Sequence, residues 1–136
     1  MLTLMPLYFA ALLLMTGVGL LGTYLPLQLA IAGNSDQVVG LVMSLFFIGM
    51  LVGAYQCHRL IGSVGHIRAF AVFAAITTAV VMLHGMHTSP VFWGFLRFCS
   101  GVSITGLYMV IESWLNESAR PQIRGKVLAV YMVICY

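Results

Sequence analysis

Arg97 and Glu112 are the residues whose types and spacing could do chemistry. They sit in LRFCSGVSITGLYMVIESW, residues 95–113, a stretch that is otherwise largely apolar. Place this stretch on a helix at about 100° per residue, with Arg97 at zero. Gly101 then falls at about 40°, Thr105 at about 80°, Tyr108 at about 20° and Glu112 at about 60°. The distinctive side chains share a stripe about 80° wide, and Leu107, Val110 and Ile111 point elsewhere. A charge facing lipid at mid-bilayer costs at least about 2.5–3.5 kcal/mol. The stripe must therefore face a bundle interior or an aqueous cavity. The two charges do not pair with each other, because their separation along the axis is about 22 Å. Two readings stand. Either the stripe is one wall of a solute passage, with Arg97 outward and Glu112 inward, or both charges lock helix contacts near the membrane interfaces.

The elements that must carry this stripe follow from composition. The chain has 136 residues, of which 62% are hydrophobic and 7% charged. A soluble domain carries about 25% charged residues, so the class is an integral membrane protein. The net charge is +3, but the basic residues are too few and too scattered for a nucleic-acid face, and no nucleic-acid partner is expected. Charge gaps divide the chain into spans at about residues 5–31, 38–60, 69–85 and 91–115, with the start of a fifth over 126–136. The fold class is all-α: four complete transmembrane helices plus an incomplete fifth. A span needs about 20 residues, so the chain reads as stopping inside a helix. Ala30-Ile31-Ala32 resembles a signal-peptidase site, but no Lys or Arg precedes it and the apolar run is too long. The first span is read as retained.

Loop charges give an orientation. Arg59 and Arg68 follow the second span, and Arg120, Arg124 and Lys126 follow the fourth; the other two connections hold no Lys or Arg. Basic loops stay in the cytoplasm. The N-terminus is thus expected in the cytoplasm, with the chain multi-pass in the cytoplasmic (inner) membrane and the lipid bilayer as its solvent.

Small residues add packing expectations. Gly17, Gly19 and Gly22 spell G-x-G-x-x-G, but mid-span, with no strand before them, so dinucleotide binding is excluded. They read as a close-packing seam, as do Gly49, Gly53 and Gly101. Thr16, Gly19 and Thr23 share a face of the first span, and Thr16 and Thr23 are candidates for lining a pathway. Cys57, Cys99 and Cys135 lie far apart and read as small buried apolar residues. His84 and His87 have no third ligand nearby and read as polar tips at the outer interface; no metal and no cofactor is expected. Trp93 and Trp114, near opposite ends of the fourth span, read as an aromatic belt. No nucleophile–base pair or phosphate loop is present, so the chain is not read as an enzyme.

The loops and the fourth span together resemble the N-terminal third of a major facilitator superfamily transporter. The loop RLIGSVGHIR is similar to the family's G-x-x-x-D-R-x-G-R-R motif through Gly65 and Arg68; Gly62 occupies the aspartate position and His66 the first basic position after the glycine. Arg97 and Gly101 match the family's fourth-helix Arg-x-x-x-Gly, with Ser103 where a second glycine is usual. IESWLNESARPQIRGKVLAVYM, residues 111–132, resembles a poorly characterised bacterial branch in which Glu-Ser closes helix four and Arg-Gly opens helix five. The resemblance implies twelve helices in two halves around a central site, alternating access, and a cavity lined by the first and fourth helices. It implies a small-molecule substrate, with H+ or another ion as coupling ion, and the remainder of the transporter chain as partner. It does not separate uptake from efflux. The rival class is a self-contained four-helix membrane protein acting as a dimeric small exporter or an assembly subunit. Such exporters rely on a carboxylate in the first helix, and no acidic residue precedes Asp36.

Overall fold

The computed structural model describes residues 4–135. It contains five helices in this range: α1 (Met5–Ile31), α2 (Asp36–Val64), α3 (His66–His84), α4 (Pro90–Ser118) and α5 (Arg124–Cys135). The first four are long and apolar enough to cross a membrane. Their outer surfaces fit that solvent: Leu20, Leu51, Met82 and Val91 are all more than half exposed, as lipid-facing side chains must be. The chain is an all-α membrane protein.

Local signals set the ends. Pro6 and Pro90 occupy the first turns of α1 and α4, where a missing N–H costs nothing. Ser35 caps α2, accepting from the Val38 backbone N–H, and Asp36 follows in the first turn, where a negative charge suits the helix dipole. Between α2 and α3 the expected loop over 59–68 is mostly helical, and Gly65 alone separates the two helices. Gly65 has φ +83°, a conformation that disfavours any residue with a Cβ. The polar residues that suggest a loop, Arg59, Ser63 and Arg68, are exposed. They carry their polarity on side chains and leave the helical backbone intact.

α4 is the central element. Fourteen of its residues are buried, from Trp93 to Leu115, while α1 buries only Leu7, Ala11, Leu25 and Leu29. α2 meets α4 through a stripe of Val42, Phe46, Gly49, Gly53, Cys57 and Ile61. At Gly49 a Cβ would strike the Phe98 carbonyl, and at Gly101 it would strike the Phe46 carbonyl and come within 2.8 Å of the Met50 nitrogen. Gly53 sits against Val102 and Thr105 of α4, where a Cβ would lie 3.1 Å from the Thr105 Cβ. Lipid tails are as apolar as leucine, so helices in a bilayer gain from close backbone approach rather than from apolar burial. α3 adds to the other side of α4: the Phe73 ring fills the space a side chain at Gly106 would need, and Thr77 donates to Ser103 Oγ at 3.0 Å.

Three apolar clusters run along the bundle. Leu25, Leu29, Val42, Val80, Trp93 and Leu96 form one at the end carrying the α1–α2 and α3–α4 connections. Cys57, Ile61, Ala69, Phe73, Leu107 and Val110 form the middle one. The third, which includes Leu7, Ile111, Leu115 and Val127, lies at the opposite, basic end. There the Tyr8 hydroxyl ties α1 to α5 by donating to the Val127 carbonyl at 3.0 Å.

Candidate functional site

The stripe on α4 divides into three environments. Arg97 is 4% exposed. Its guanidinium carbon lies 4.3 Å from the centroid of the Phe46 ring on α2. Its Nε has no hydrogen-bond partner, and the ion pair found among the described residues lies elsewhere. Gly101 and Thr105 come next and are taken up by α2 through Gly49 and Gly53; the buried Thr105 Oγ1 is also unpartnered. Tyr108 is half-buried and reaches α1, with its hydroxyl 3.4 Å from the Met15 sulfur. Glu112 is exposed and lines an open cleft of about 310 Å³ with Met109, Ser113, Asn116 and Leu128. The stripe thus starts in a sealed core and ends on an open surface.

α1 presents a different face. Thr16 and Thr23 are exposed, and their hydroxyls bond to the Leu12 and Gly19 carbonyls at 2.9 Å and 3.1 Å. Gly17, Gly19 and Gly22 have no atom within 4 Å of where a Cβ would stand. No described helix lies against the small-residue face of α1.

Two features escape a reading by periodicity. The first is His84. It is buried at the end of α3, not an exposed polar tip: its Nδ1 sits 2.8 Å from the Val80 carbonyl, and its Nε2 has no partner. Its ring packs on Trp93, with centroids 5.7 Å apart. Trp93 is also buried, and its indole N–H donates to the His87 carbonyl at 2.8 Å. It therefore closes the α3–α4 turn from inside, instead of facing a membrane interface. The second feature is His66, at the degenerate position of the loop motif. Its Nε2 lies 2.8 Å from Ser113 Oγ and its Nδ1 lies 3.3 Å from Glu117. The α2–α3 turn is thereby fastened to the last turns of α4. Arg68, the other basic residue of that motif, is exposed. The i, i+4 spacing of Ser113 and Glu117 on one helix face was the available signal for that clasp.

A bundle of apolar helices long enough to cross a membrane, packed around a central helix with an arginine buried inside it, is the architecture of a polytopic membrane protein. Comparison with known proteins names the family. Residues 7–134 match the Major Facilitator Superfamily, and the chain belongs to it. It is 34% identical over 127 residues to the uncharacterized MFS-type transporter YcaD of Salmonella arizonae, and equally to those of Salmonella newport and Salmonella typhimurium. The matched region covers 92% of this chain and 33% of each relative, so the chain spans about a third of the length of the curated relatives it matches. No solved structure matches.

Proposed function

We propose that the chain is the N-terminal part of a secondary active transporter that moves a small solute across the cytoplasmic membrane by alternating access. The observation that carries this reading is Arg97: a guanidinium inside an apolar spanning helix, with no ion pair among the described residues. Intramembrane charges are expensive, and by default they mark substrate or ion pathways. In this reading Arg97, Thr105, Tyr108 and Glu112 lie along a route from the outer to the inner side, and Thr16 and Thr23 of α1 face it. H+ or another ion supplies the driving force. The basic end is cytoplasmic, on the strength of Arg59, Arg68, Arg120, Arg124 and Lys126.

The test is Arg97→Ala in the full-length protein, assayed for transport after a substrate screen in a transport-deficient host. Membrane insertion should be unchanged, and transport should fall at least tenfold. Normal kinetics in the variant would make Arg97 a packing residue and remove the support for a pathway along α4.

A further inference from the structure

The basic end of the bundle carries a trough whose polarity changes along its length. It opens as a cavity of about 860 Å³ between the start of α1, the start of α3 and the end of α4. Leu7, Ala10 and Phe70 give this cavity an apolar wall, and Trp114, Ser118 and Arg120 line it from α4 and the turn that follows. A joined cleft shares Ile67, Trp114 and Ser118 with it and adds Arg68. Deeper in the bundle, Ala10 and Phe70 also line a second cavity of about 380 Å³, which reaches Leu14 on α1 and Thr78 on α3. Thr77 and Thr78 on that wall turn their hydroxyls to carbonyls of their own helix, at 2.8 Å and 2.9 Å. The two cavities follow α1 from Leu4 to Leu14, about 15 Å at the helical rise. One leaflet's share of a hydrocarbon core about 30 Å thick has the same length. At the basic end the trough offers uncommitted donors. The Arg68 and Arg120 guanidiniums, the Trp114 indole N–H and the Ser118 hydroxyl make no hydrogen bond or ion pair among the described residues. Glu117, the acidic residue on the joined cleft, is turned to His66 at 3.3 Å.

We propose that this trough binds one anionic phospholipid, with its phosphate on Arg120, reinforced by Arg68 from the joined cleft, and one acyl chain between α1 and α3. The acyl chain confers no preference, because it leaves one apolar surrounding for another. Selection comes from the headgroup. A guanidinium can hold two oxygens of a phosphate at once, and basic pockets between helices at this membrane surface suit anionic headgroups. Trp114 stands where headgroup and chain meet, the level at which tryptophan gathers in membranes. Ser118 adds a further donor. A further helix of the chain would fit the apolar length of the trough but would leave Arg68 and Arg120 unanswered. A phospholipid meets both ends, because the change from charged to apolar along the trough is its own. Bound there, it fills the gap between α1 and α3 and fastens both to the end of α4.

The test is native mass spectrometry of the full-length transporter, titrated with phosphatidylglycerol or with phosphatidylcholine of the same chains. The first phosphatidylglycerol should bind about tenfold more tightly than phosphatidylcholine. Arg120→Gln and Arg68→Gln should each weaken phosphatidylglycerol binding about fivefold and leave phosphatidylcholine binding unchanged. Both positions are exposed, so the monodisperse yield should not change. Arg124→Gln is the control: it removes the same charge from the same end but lines neither the cavity nor the joined cleft, and binding should stay within about twofold. A phosphatidylglycerol with a photoreactive group on one chain should label residues 7–14 or 70–78. Equal binding of the two lipids overturns the proposal, as does an equal effect of Arg124→Gln and Arg120→Gln, which would reduce the preference to general charge attraction. Labelling outside both segments overturns it too, because another helix of the chain would then fill the trough. Displacement of the lipid by glycerol phosphate would make this a site for a soluble anion and overturn the lipid assignment. None of these results depends on Arg97, so the pathway reading is tested separately.

Discussion

α2 and α1 both carry glycines at small-residue spacing, and the two helices use them in opposite ways. Gly49 and Gly53 of α2 press against Phe98, Gly101, Val102 and Thr105 of α4: Gly49 has no room for a methyl group, and at Gly53 a methyl group would push α4 back by a few tenths of an ångström. Gly17, Gly19 and Gly22 of α1 face open space. The difference lies in the partner. α4 answers Gly49 with Gly101, and two backbones without side chains can come within contact distance, where dispersion and weak Cα–H···O contacts are gained. A run of glycines on one helix is half of a packing motif. The complementary small residue on another helix decides whether the motif is used.

The largest test of this comparison is a side chain on the used seam. At Gly101 a Cβ would meet the Phe46 carbonyl and the Met50 nitrogen, both backbone atoms of α2, which cannot rotate away as a side-chain tip could. Gly101→Ala should therefore cost stability at the upper end of the about 1–3 kcal/mol usual for overpacking, and Gly101→Leu should prevent α2 and α4 from packing at all. Denaturant titration in mixed micelles, or the monodisperse yield after extraction, reads the effect. A stable Gly101→Leu variant would mean that α2 and α4 do not meet at this position.

A smaller effect belongs to the other side of α4. Thr77 of α3 donates to Ser103 Oγ, and Ser103 donates in turn to the Ser100 carbonyl at 3.2 Å. Ser103→Ala removes one interhelical hydrogen bond, but Thr77 keeps its bond to the Phe73 carbonyl at 2.8 Å. No donor is left unsatisfied. The loss should be about 0.5–1 kcal/mol, the range measured for such bonds between membrane helices, and clearly below that of Gly101→Ala in the same titration.

Some of this architecture is legible in the residues and some is not, for physical reasons. Composition and charge gaps reveal apolar helices, because a bilayer imposes length and polarity on every span. The 3.6-residue period reveals that Arg97, Gly101 and Thr105 share one inward side of α4. Period alone does not say what meets that side: Gly101 and Thr105 meet α2, and Arg97 meets Phe46. His84 is hidden from such reading because it lies at a helix end, where an interfacial histidine and a buried one look alike in sequence. Its burial depends on Trp93 folding back beneath the α3–α4 turn. The His66 contacts with Ser113 and Glu117 join residues far apart in the chain, and only the packing of α3 on α4 brings them together. Gly65 is a single-residue hinge because one positive φ is enough to redirect the chain between two helices.

The smallest predicted effect sharpens the comparison most. At Gly19 a methyl group meets nothing within 4 Å, and alanine has a higher helix propensity than glycine by about 0.8–1.0 kcal/mol. If this face of α1 lies against lipid or a water-filled route, Gly19→Ala should be neutral or stabilising by up to about 1 kcal/mol, and Gly19→Leu should be tolerated in the same denaturant titration. The pathway reading adds a second readout: a bulky side chain near Thr16 and Thr23 should slow transport while leaving stability unchanged. Strong destabilisation by Gly19→Leu would show that α1 is packed there as tightly as α2 is at Gly49. The two helices would then share one rule, and the route would have to run along another face of α1.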